Sequence, residues 1–415
     1  MNATTDGQQR SATGLAVRLG VAVLGCSFLA LGGTSGSQTA FIPASAAVAQ
    51  SSPGQLPAPP ANGIMGFVVY HFVPSVLQGK DACPDGFTIR TRERFLANLP
   101  PDEAERLRRK ENDAEFMRRY MADVTRPDGS NICTQSTLFP DRPTVRTVQS
   151  KFAWGLNLDG DEGEGATDPD GCAHENFVAP DGQKGIDNQA YRALGCKVDW
   201  RGEDGIAGDI VRGYDGFLAS GEWSQVLLLR GVDSLVNDDN VEVIYANTPD
   251  RPVADSTGKF IRNASFTISD KAPRARNVLR GRIVNGVLTT EPTLIRLSQT
   301  WGQAAQRETR GLRNQWTLHK ARLRLSFQPD GSLKGIVGGY EPIEEFVVST
   351  SLGGIGNLVN GGSDCAGEYN TLRKLADGMR DPKTGRCTAA STGLELAAVP
   401  AFVNDVASQS KVASR

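Results

Sequence analysis

The chain has 415 residues, a formal net charge of −2 at pH 7 and 22% charged residues. Without a basic excess, this composition excludes an electrostatic footprint for nucleic acid and a polybasic membrane-binding surface. The 46 glycines and 22 prolines indicate a turn-rich β protein. The length allows two or three domains, or one large β domain with elaborations.

Residues 1–49 have the pattern of an export signal. Two arginines precede the apolar run 19–33, and Ala47-Val48-Ala49 fits a cleavage site. The run has about 15 residues, fewer than the roughly 20 that a membrane-spanning helix needs. We therefore predict an exported protein, periplasmic or extracellular, with no transmembrane segment in the mature chain. Lipid attachment at Cys26, which lies in a lipobox-like sequence, is the less favoured alternative.

Without Cys26, six cysteines remain, and an even number in an exported chain predicts three disulfides. No C-x-x-C motif is present, which argues against zinc ribbons, thioredoxin-like chemistry and c-type haem. Six cysteines allow 15 connectivities. Proximity along the chain favours three local pairs, which are Cys83–Cys133, Cys172–Cys196 and Cys365–Cys387.

The sequence pattern changes several times along the chain. A proline-rich linker at 50–62 leads into region 63–150, which begins with a strand and continues with amphipathic helices. Region 151–348 is β-rich and contains an acidic loop. Region 349–415 is a C-terminal segment with a short helix, held by a disulfide.

The β-rich region carries two hairpin signals. Asn285-Gly286 tolerates the positive φ angles of a type I′ turn. In the run 321–327, Leu325 and its apolar neighbours alternate with Arg322 and Arg324, which predicts one buried face and one exposed face. No strand–helix alternation of the βαβ type is present. We therefore predict a mainly β fold with an antiparallel β-sandwich or jelly-roll core.

Acidic and amide side chains crowd between glycines in the stretch from Trp154 to Cys196, whose core reads GLNLDGDEGEGATDPDGC. Calcium takes six to eight oxygen ligands at about 2.3–2.6 Å from carboxylates, amides and carbonyls. An oxygen-only ligand set favours Ca²⁺ over a transition metal. We therefore predict a calcium site with its ligands among Asn157, Asp159, Asp161, Glu162, Asp168, Asp170, Asp187 and Asn188.

Known calcium templates fit this loop only in part. The helix–loop–helix signature fails because Glu162 stands where that loop needs glycine. The sequence Gly185-Ile186-Asp187-Asn188 is similar to the G-x-D-N core of proposed metal-binding repeats in exported bacterial proteins, but the Cys-Asp-Gly that normally follows is missing. The alternative interpretation is a polar surface loop without an ion, held by Cys172 and Cys196.

Two functional hypotheses follow from these patterns. The first is a calcium-binding, disulfide-stabilised binding or cell-envelope module. The second is a secreted hydrolase acting on polysaccharide, with Glu222, Glu344 or Glu345 as strand carboxylates that serve as acid and base. The three histidines, His71, His174 and His319, are scattered, and no H-E-x-x-H, G-x-S-x-G or P-loop motif is present in the mature chain. Only His174 lies beside the acidic loop.

Three segments carry a resemblance to other proteins, namely GIDNQAYRALGC, LRGRIVNGVLTTEP and DGSLKGIVGGY. With them, the mature chain resembles a group of uncharacterised exported bacterial proteins for which no activity is established. The resemblance implies export and a coherent fold, and it implies no particular chemistry.

Overall fold

The computed structural model describes residues 56–77, 79–109, 113–133, 135–139, 145–163, 168–202, 208–268, 276–298, 315–346 and 364–405. The predicted signal peptide 1–49 with Cys26, and the first part of the linker 50–62, lie outside these ranges. Within them, no helix is both long enough and apolar enough to cross a membrane.

The described chain is mainly β. Its strands are β1 (Ile64–Pro74), β2 (Gln225–Arg230), β3 (Asn237–Asn247), β4 (Ser265–Thr267), β5 (Arg276–Val284), β6 (Val287–Thr290), β7 (Thr293–Ser298), β8 (Gln315–Phe327), β9 (Leu333–Pro342), β10 (Gly378–Arg380) and β11 (Cys387–Asn404). Its helices are α1 (Thr91–Ala97), α2 (Pro101–Arg108), α3 (Ala114–Val124), α4 (Gln189–Leu194), α5 (Val198–Arg201), α6 (Asp209–Ser220) and α7 (Cys365–Lys374). Two 3₁₀ turns, Lys80–Ala82 and Ser136–Leu138, and a short helical stretch at 343–346 are also present.

Eight strands form a closed antiparallel barrel in the order β1-β2-β3-β5-β6-β8-β9-β11. Closure comes from β1, which pairs with β2 on one side and with β11 on the other. The remaining strands pair with members of this ring: β7 pairs with β8, β10 pairs with β11, and β4 pairs with β11 in parallel. The predicted mainly β, antiparallel fold is confirmed.

The predicted sandwich or jelly-roll core is not confirmed, because a single sheet closes on itself and its inner face forms the main core. A barrel of eight strands has an interior just wide enough for side chains to fill. Phe67, Leu227, Val243, Leu325 and Leu396 come from five different strands and are all buried there.

Both hairpin signals of the sequence are confirmed. Asn285 and Gly286 have φ angles of 51° and 80°, and they connect β5 to β6. Leu323, Leu325 and Phe327 are fully buried, and the arginines between them point away from the core. Local sequence therefore determines these two hairpins, as turn chemistry and side-chain alternation predict.

The amphipathic run in region 63–150 forms α1, α2 and α3, which bury a separate cluster around Phe95, Phe116 and Tyr120. Pro101 stands at the first position of α2, where its missing N–H needs no partner. The barrel draws β1 from region 63–150 and β11 from region 349–415, and the domain boundaries themselves stay a prediction.

The six predicted cysteines form three disulfides, but the three local pairings are wrong. The structure pairs Cys83 with Cys196, Cys133 with Cys365, and Cys172 with Cys387, at sequence separations of 113, 232 and 215 residues. Barrel closure brings the C-terminal segment back onto the earlier loops, so proximity along the chain does not determine the pairs.

Candidate metal centre

The acidic segment packs against the outer face of β9. Gly338 on β9 lacks a side chain, and a Cβ there would lie 3.0 Å from Leu156 of the segment. Ile336 and Tyr340, two residues away on either side along the strand, are buried against the same segment. The glycine therefore lets the acidic segment approach the barrel wall closely.

Two arginines of β8 hold the base of this segment. Arg322 donates to the carbonyl oxygens of Asn157 (2.7 Å) and Leu158 (3.1 Å). Arg324 lies 3.3 Å from a carboxylate oxygen of Asp181. Both side chains face away from the barrel core, as predicted, and the segment above leaves them half-buried.

A tight turn then positions Asp187. Gly185 has a φ of 70°, in the left-handed region that favours glycine, and a Cβ there would collide with the carbonyl oxygen of Asp161. Asn188 begins α4 as its N-cap, because its Oδ1 accepts the amide of Tyr191 at 3.1 Å. Asp187 is thereby fixed between a glycine turn and a helix cap.

Asp159, His174 and Asp187 come together as one buried cluster. One potential ligand atom from each lies within 4.8 Å of the other two. Asp159 and Asp187 have exposed fractions of 6% and 0%, and the side chain of His174 is 7% exposed. His174 Nε2 lies 2.7 Å from Asp187 Oδ1. The structure therefore brings two of the predicted ligands together with a histidine.

The backbone orients these side chains. His174 Nδ1 lies 2.9 Å from the carbonyl oxygen of Cys172, and because a carbonyl only accepts, Nδ1 carries the proton. The other nitrogen, Nε2, therefore faces the carboxylates. Asp187 Oδ2 accepts the amide of Leu158 at 2.6 Å, which turns Oδ1 toward the histidine. Metal-ligating histidines are commonly fixed by such a bond from their second nitrogen.

A third carboxylate completes the cluster from a distant part of the chain. Asp377, just before β10, is fully buried, and its Oδ2 lies 3.8 Å from His174 Nε2. Its Oδ1 accepts the amide of Ser391 at 2.7 Å, whereas Oδ2 has no hydrogen-bond donor among the described residues. Its main chain also accepts the amide of Cys172 at 2.8 Å.

The cluster holds more buried negative charge than its histidine can neutralise. Burial raises the pKa of Asp377 to about 7, and the charge of His174 only partly opposes this. Burial also raises the pKa of Asp159, with a further contribution from the charge of Asp187. For His174, burial lowers the pKa, but the hydrogen bond to Asp187 and the charge of Asp377 outweigh it and raise the pKa to about 9. A cation bound at this position would neutralise the excess negative charge.

A cavity of about 480 Å³ opens beside the cluster, and His174 forms part of its wall. Asp161, Glu162, Asn176 and Lys184 also line it. The cluster is therefore buried but adjacent to a polar, solvent-connected space.

The other predicted ligands in the first part of the loop bind the backbone. Asn157 Oδ1 accepts the amide of Gly160 at 2.7 Å, and Asp161 Oδ1 accepts that of Gly163 at the same distance. These are local turn contacts of the kind that Asn and Asp make in loops. Glu162 is exposed at the cavity rim. The structure does not bring these three side chains into the buried cluster.

Asp168 and Asp170 are held away from the cluster by a lysine. Lys320 Nζ lies 2.6 Å from Asp168 Oδ2 and 3.2 Å from Asp170 Oδ2. Lys320 has a φ of 47° at an irregularity of β8, between His319 and Arg322, that interrupts the regular pairing with β9. Asp168 and Asp170 therefore have a protein cation as partner.

The donor set that converges differs from the oxygen-only set of the prediction. One imidazole nitrogen with two carboxylates is typical of zinc, manganese or iron, whereas calcium favours oxygen ligands alone. Asn188 contributes no oxygen to the cluster, because its Oδ1 caps α4 and its Nδ2 donates to Trp154 O (2.8 Å) and Ser75 Oγ (3.1 Å). Calcium stays a prediction, and the nitrogen ligand favours a transition metal.

The carboxylates of the hydrolase hypothesis are not on strands. Glu222 is exposed in the turn before β2 and accepts a hydrogen bond from Ser220. Glu344 and Glu345 are exposed just after β9, where Glu344 accepts a hydrogen bond from the hydroxyl of Tyr369. Glu344 and Glu345 belong to a short helical stretch at 343–346, so the predicted strand positions are not observed for any of the three glutamates.

Comparison with protein-family models, curated proteins and solved structures found no match to this chain.

Proposed function

We propose that this protein is an exported, disulfide-stabilised barrel that binds a divalent metal ion through Asp159, His174 and Asp187. It would act as a binding or cell-envelope module. The observation that supports this most is the convergence of three potential ligand atoms within 4.8 Å in a site with excess buried carboxylate charge. The three disulfides are consistent with an oxidising, extracytoplasmic compartment.

The ion would stabilise the contact between the acidic segment and the barrel. Asp159, His174 and Asp187 belong to the segment, whereas Asp377 precedes the edge strand β10. Because the four residues converge only in the folded chain, an ion that binds them stabilises the native state. At a hundredfold excess over the dissociation constant, this adds about 2.7 kcal/mol. The same ion would face the 480 Å³ cavity through His174, where a polar ligand has access.

Calorimetric titration tests the proposal. Mature protein, treated with chelator and dialysed, is titrated with Zn²⁺, Mn²⁺ and Ca²⁺ separately. We expect one ion per chain, with Zn²⁺ or Mn²⁺ bound more tightly than Ca²⁺. Because the pKa of His174 is about 9, Nε2 is protonated at pH 7, and binding should release a proton that buffers of different ionisation enthalpy detect.

Variants separate this site from the rest of the loop. Asp159→Asn and His174→Gln should each weaken binding by at least about tenfold, the effect typical of losing a ligand or its support. Asp170→Asn is the matched control, because Asp170 lies in the same loop but pairs with Lys320. An equal loss of metal affinity in Asp170→Asn, or no uptake of any ion by the parent protein, would overturn the proposal. Tighter binding of Ca²⁺ without proton release would instead support the oxygen-only calcium site.

A further inference from the structure

A second cavity, of about 1050 Å³, lies on the outer face of the barrel. Its floor is formed by Tyr70 on β1, Val399 on β11 and Lys334 on β9, which are adjacent strands. Its walls are α6, the loop 255–262 and the turn 328–332. The volume is that of a site for a small organic molecule.

Much of the lining is apolar. The ring of Phe260 meets that of Tyr70 edge to face, with centroids 6.4 Å apart. Ile261 is 46% exposed and lines the same cavity. Val399 and Ala219 add further apolar side chains to the lining.

The carboxylates that line the cavity already form ion pairs or hydrogen bonds with groups of the protein. Asp215 contacts His71 Nδ1 through both oxygens, at 2.9 and 3.1 Å. Asp330 pairs with Arg262 at 3.1 Å and accepts a hydrogen bond from Ser332 Oγ at 2.6 Å. These contacts neutralise the negative charge that would otherwise repel an anion.

The third carboxylate of the lining, Asp255, also accepts hydrogen bonds from the protein. Its Oδ1 accepts the amide and the hydroxyl of Thr257, at 2.8 and 2.7 Å, and the amide of Lys259 at 3.1 Å. Every carboxylate that lines the described cavity therefore has donors from the protein itself.

Lys334 is the exception among the charged residues of the floor. It is half-buried on β9, and it forms no ion pair or side-chain hydrogen bond with any residue in the described part of the chain. The ammonium of Lys334 therefore keeps a positive charge that no carboxylate of the described chain neutralises. A ligand anion at this position would pair with it.

We propose that this cavity binds a small organic anion with an apolar body, such as a medium-chain fatty acid. The carboxylate of the ligand lies at Lys334, and its apolar body lies along Phe260, Ile261 and Val399. Tyr70, also on the floor, is a further potential hydrogen-bond donor in the cavity. This site is separate from the metal proposal, because it shares no residue with the cluster around His174.

A carbohydrate is the competing ligand for a cavity with carboxylates and aromatic rings. Sugar recognition would use the carboxylates as acceptors for hydroxyl groups, and here protein donors already occupy them. The charge of Lys334 distinguishes the two, since a neutral sugar gains little from it. An oligosaccharide is therefore included as an outcome of the test.

The probe is decanoate below its micelle concentration, titrated into the mature protein by calorimetry. Decanol and maltotriose are the matched neutral probes. We expect decanoate to bind one per chain, and decanol to bind at least about tenfold more weakly, as the loss of a contact to a charged group predicts. Equal affinity for decanoate and decanol, or binding of maltotriose alone, would overturn the proposal.

Three variants locate the site. Lys334→Gln should weaken decanoate binding by at least about tenfold and leave decanol unchanged. Ile261→Asp places a negative charge at a 46% exposed wall position, and it should also weaken decanoate binding. Lys151→Gln, at an exposed lysine that precedes the acidic segment, is the control and should bind as the parent does. Unchanged affinity in both cavity variants would contradict the assignment, and metal binding should be the same in all three.

Discussion

His71 makes the stability of this protein depend on pH above neutrality. Its imidazole lies between Asp215, 2.9 Å from Nδ1, and Glu395, 3.9 Å from Nε2. Burial lowers the pKa of His71, but the hydrogen bond to Asp215 and the charge of Glu395 outweigh it and raise the pKa to about 9. The folded protein therefore binds the proton more tightly than the unfolded chain, in which the pKa is about 6.5.

The sign and size of the effect follow from this difference. The stabilisation is complete below pH 6.5 and is lost as the pH rises through about 9, because the unfolded chain gives up its proton first. Raising a pKa from 6.5 to 9 corresponds to about 3 kcal/mol. Asp215 is 36% exposed, so solvent screening reduces the expected value to about 1–3 kcal/mol.

The assay is urea unfolding with disulfides intact, from pH 5.5 to 10, for the parent and for His71→Gln. The difference in unfolding free energy should be largest below pH 6.5 and fall steadily toward pH 9.5. His319→Gln is the control, because burial lowers the pKa of His319 and its contribution should instead grow as the pH rises toward 6.5. If the difference in unfolding free energy between the parent and His71→Gln stays constant, or grows with pH, the reasoning is refuted.

Three further predictions concern the fold and its export. Leu325→Ala should destabilise the barrel by about 2–5 kcal/mol, because Leu325 is fully buried, whereas Leu138→Ala at a 45% exposed position should change unfolding free energy little. Peptide mapping without reductant should recover Cys83–Cys196, Cys133–Cys365 and Cys172–Cys387, and recovery of local pairs would contradict the barrel closure. Intact-mass analysis of secreted protein should show loss of residues 1–49, and retention of that segment would contradict the export signal.

The parts of the fold that the sequence predicts are those set by local interactions. The turn at Asn285-Gly286 and the alternation around Leu325 each depend on a few consecutive residues. Closure of the barrel does not, because β1 and β11 pair across most of the chain, with Gly66 opposite Ala401. A strand pattern shows which face is buried, but it does not show whether a sheet closes on itself.

For the candidate site too, the sequence predicts the residues that lie close together along the chain and not those that come from far away. Asp159 and Asp187 were predicted as ligands from the acidic segment, and His174 was noted beside them. Asp377 was missed, because no motif around it indicates a site and it lies far along the chain. The disulfide between Cys172 and Cys387 indicates it, since that bond ties the start of β11, which follows Asp377 and β10 in the chain, to the residue two positions before His174.

Asp168 and Asp170 lie outside the buried cluster for a physical reason that the sequence does not show. Asp168 and Asp170 have the composition of calcium ligands, yet Lys320 reaches both from a distant strand. A protein ammonium within 2.6 Å of Asp168 satisfies the charge that an ion would otherwise neutralise. The nearest cations in space, and not the density of acidic residues, decide which carboxylates are available to a metal.

Anomalous diffraction from crystals grown with Zn²⁺ or Mn²⁺ tests the metal centre most directly. Data on either side of the metal absorption edge locate the ion without reference to any activity. We predict a single strong peak at about 2.0–2.2 Å from His174 Nε2 and from oxygens of Asp159 and Asp187. A peak among Asp168, Asp170 and Asp161 instead, or no peak within bonding distance of His174, would contradict the account.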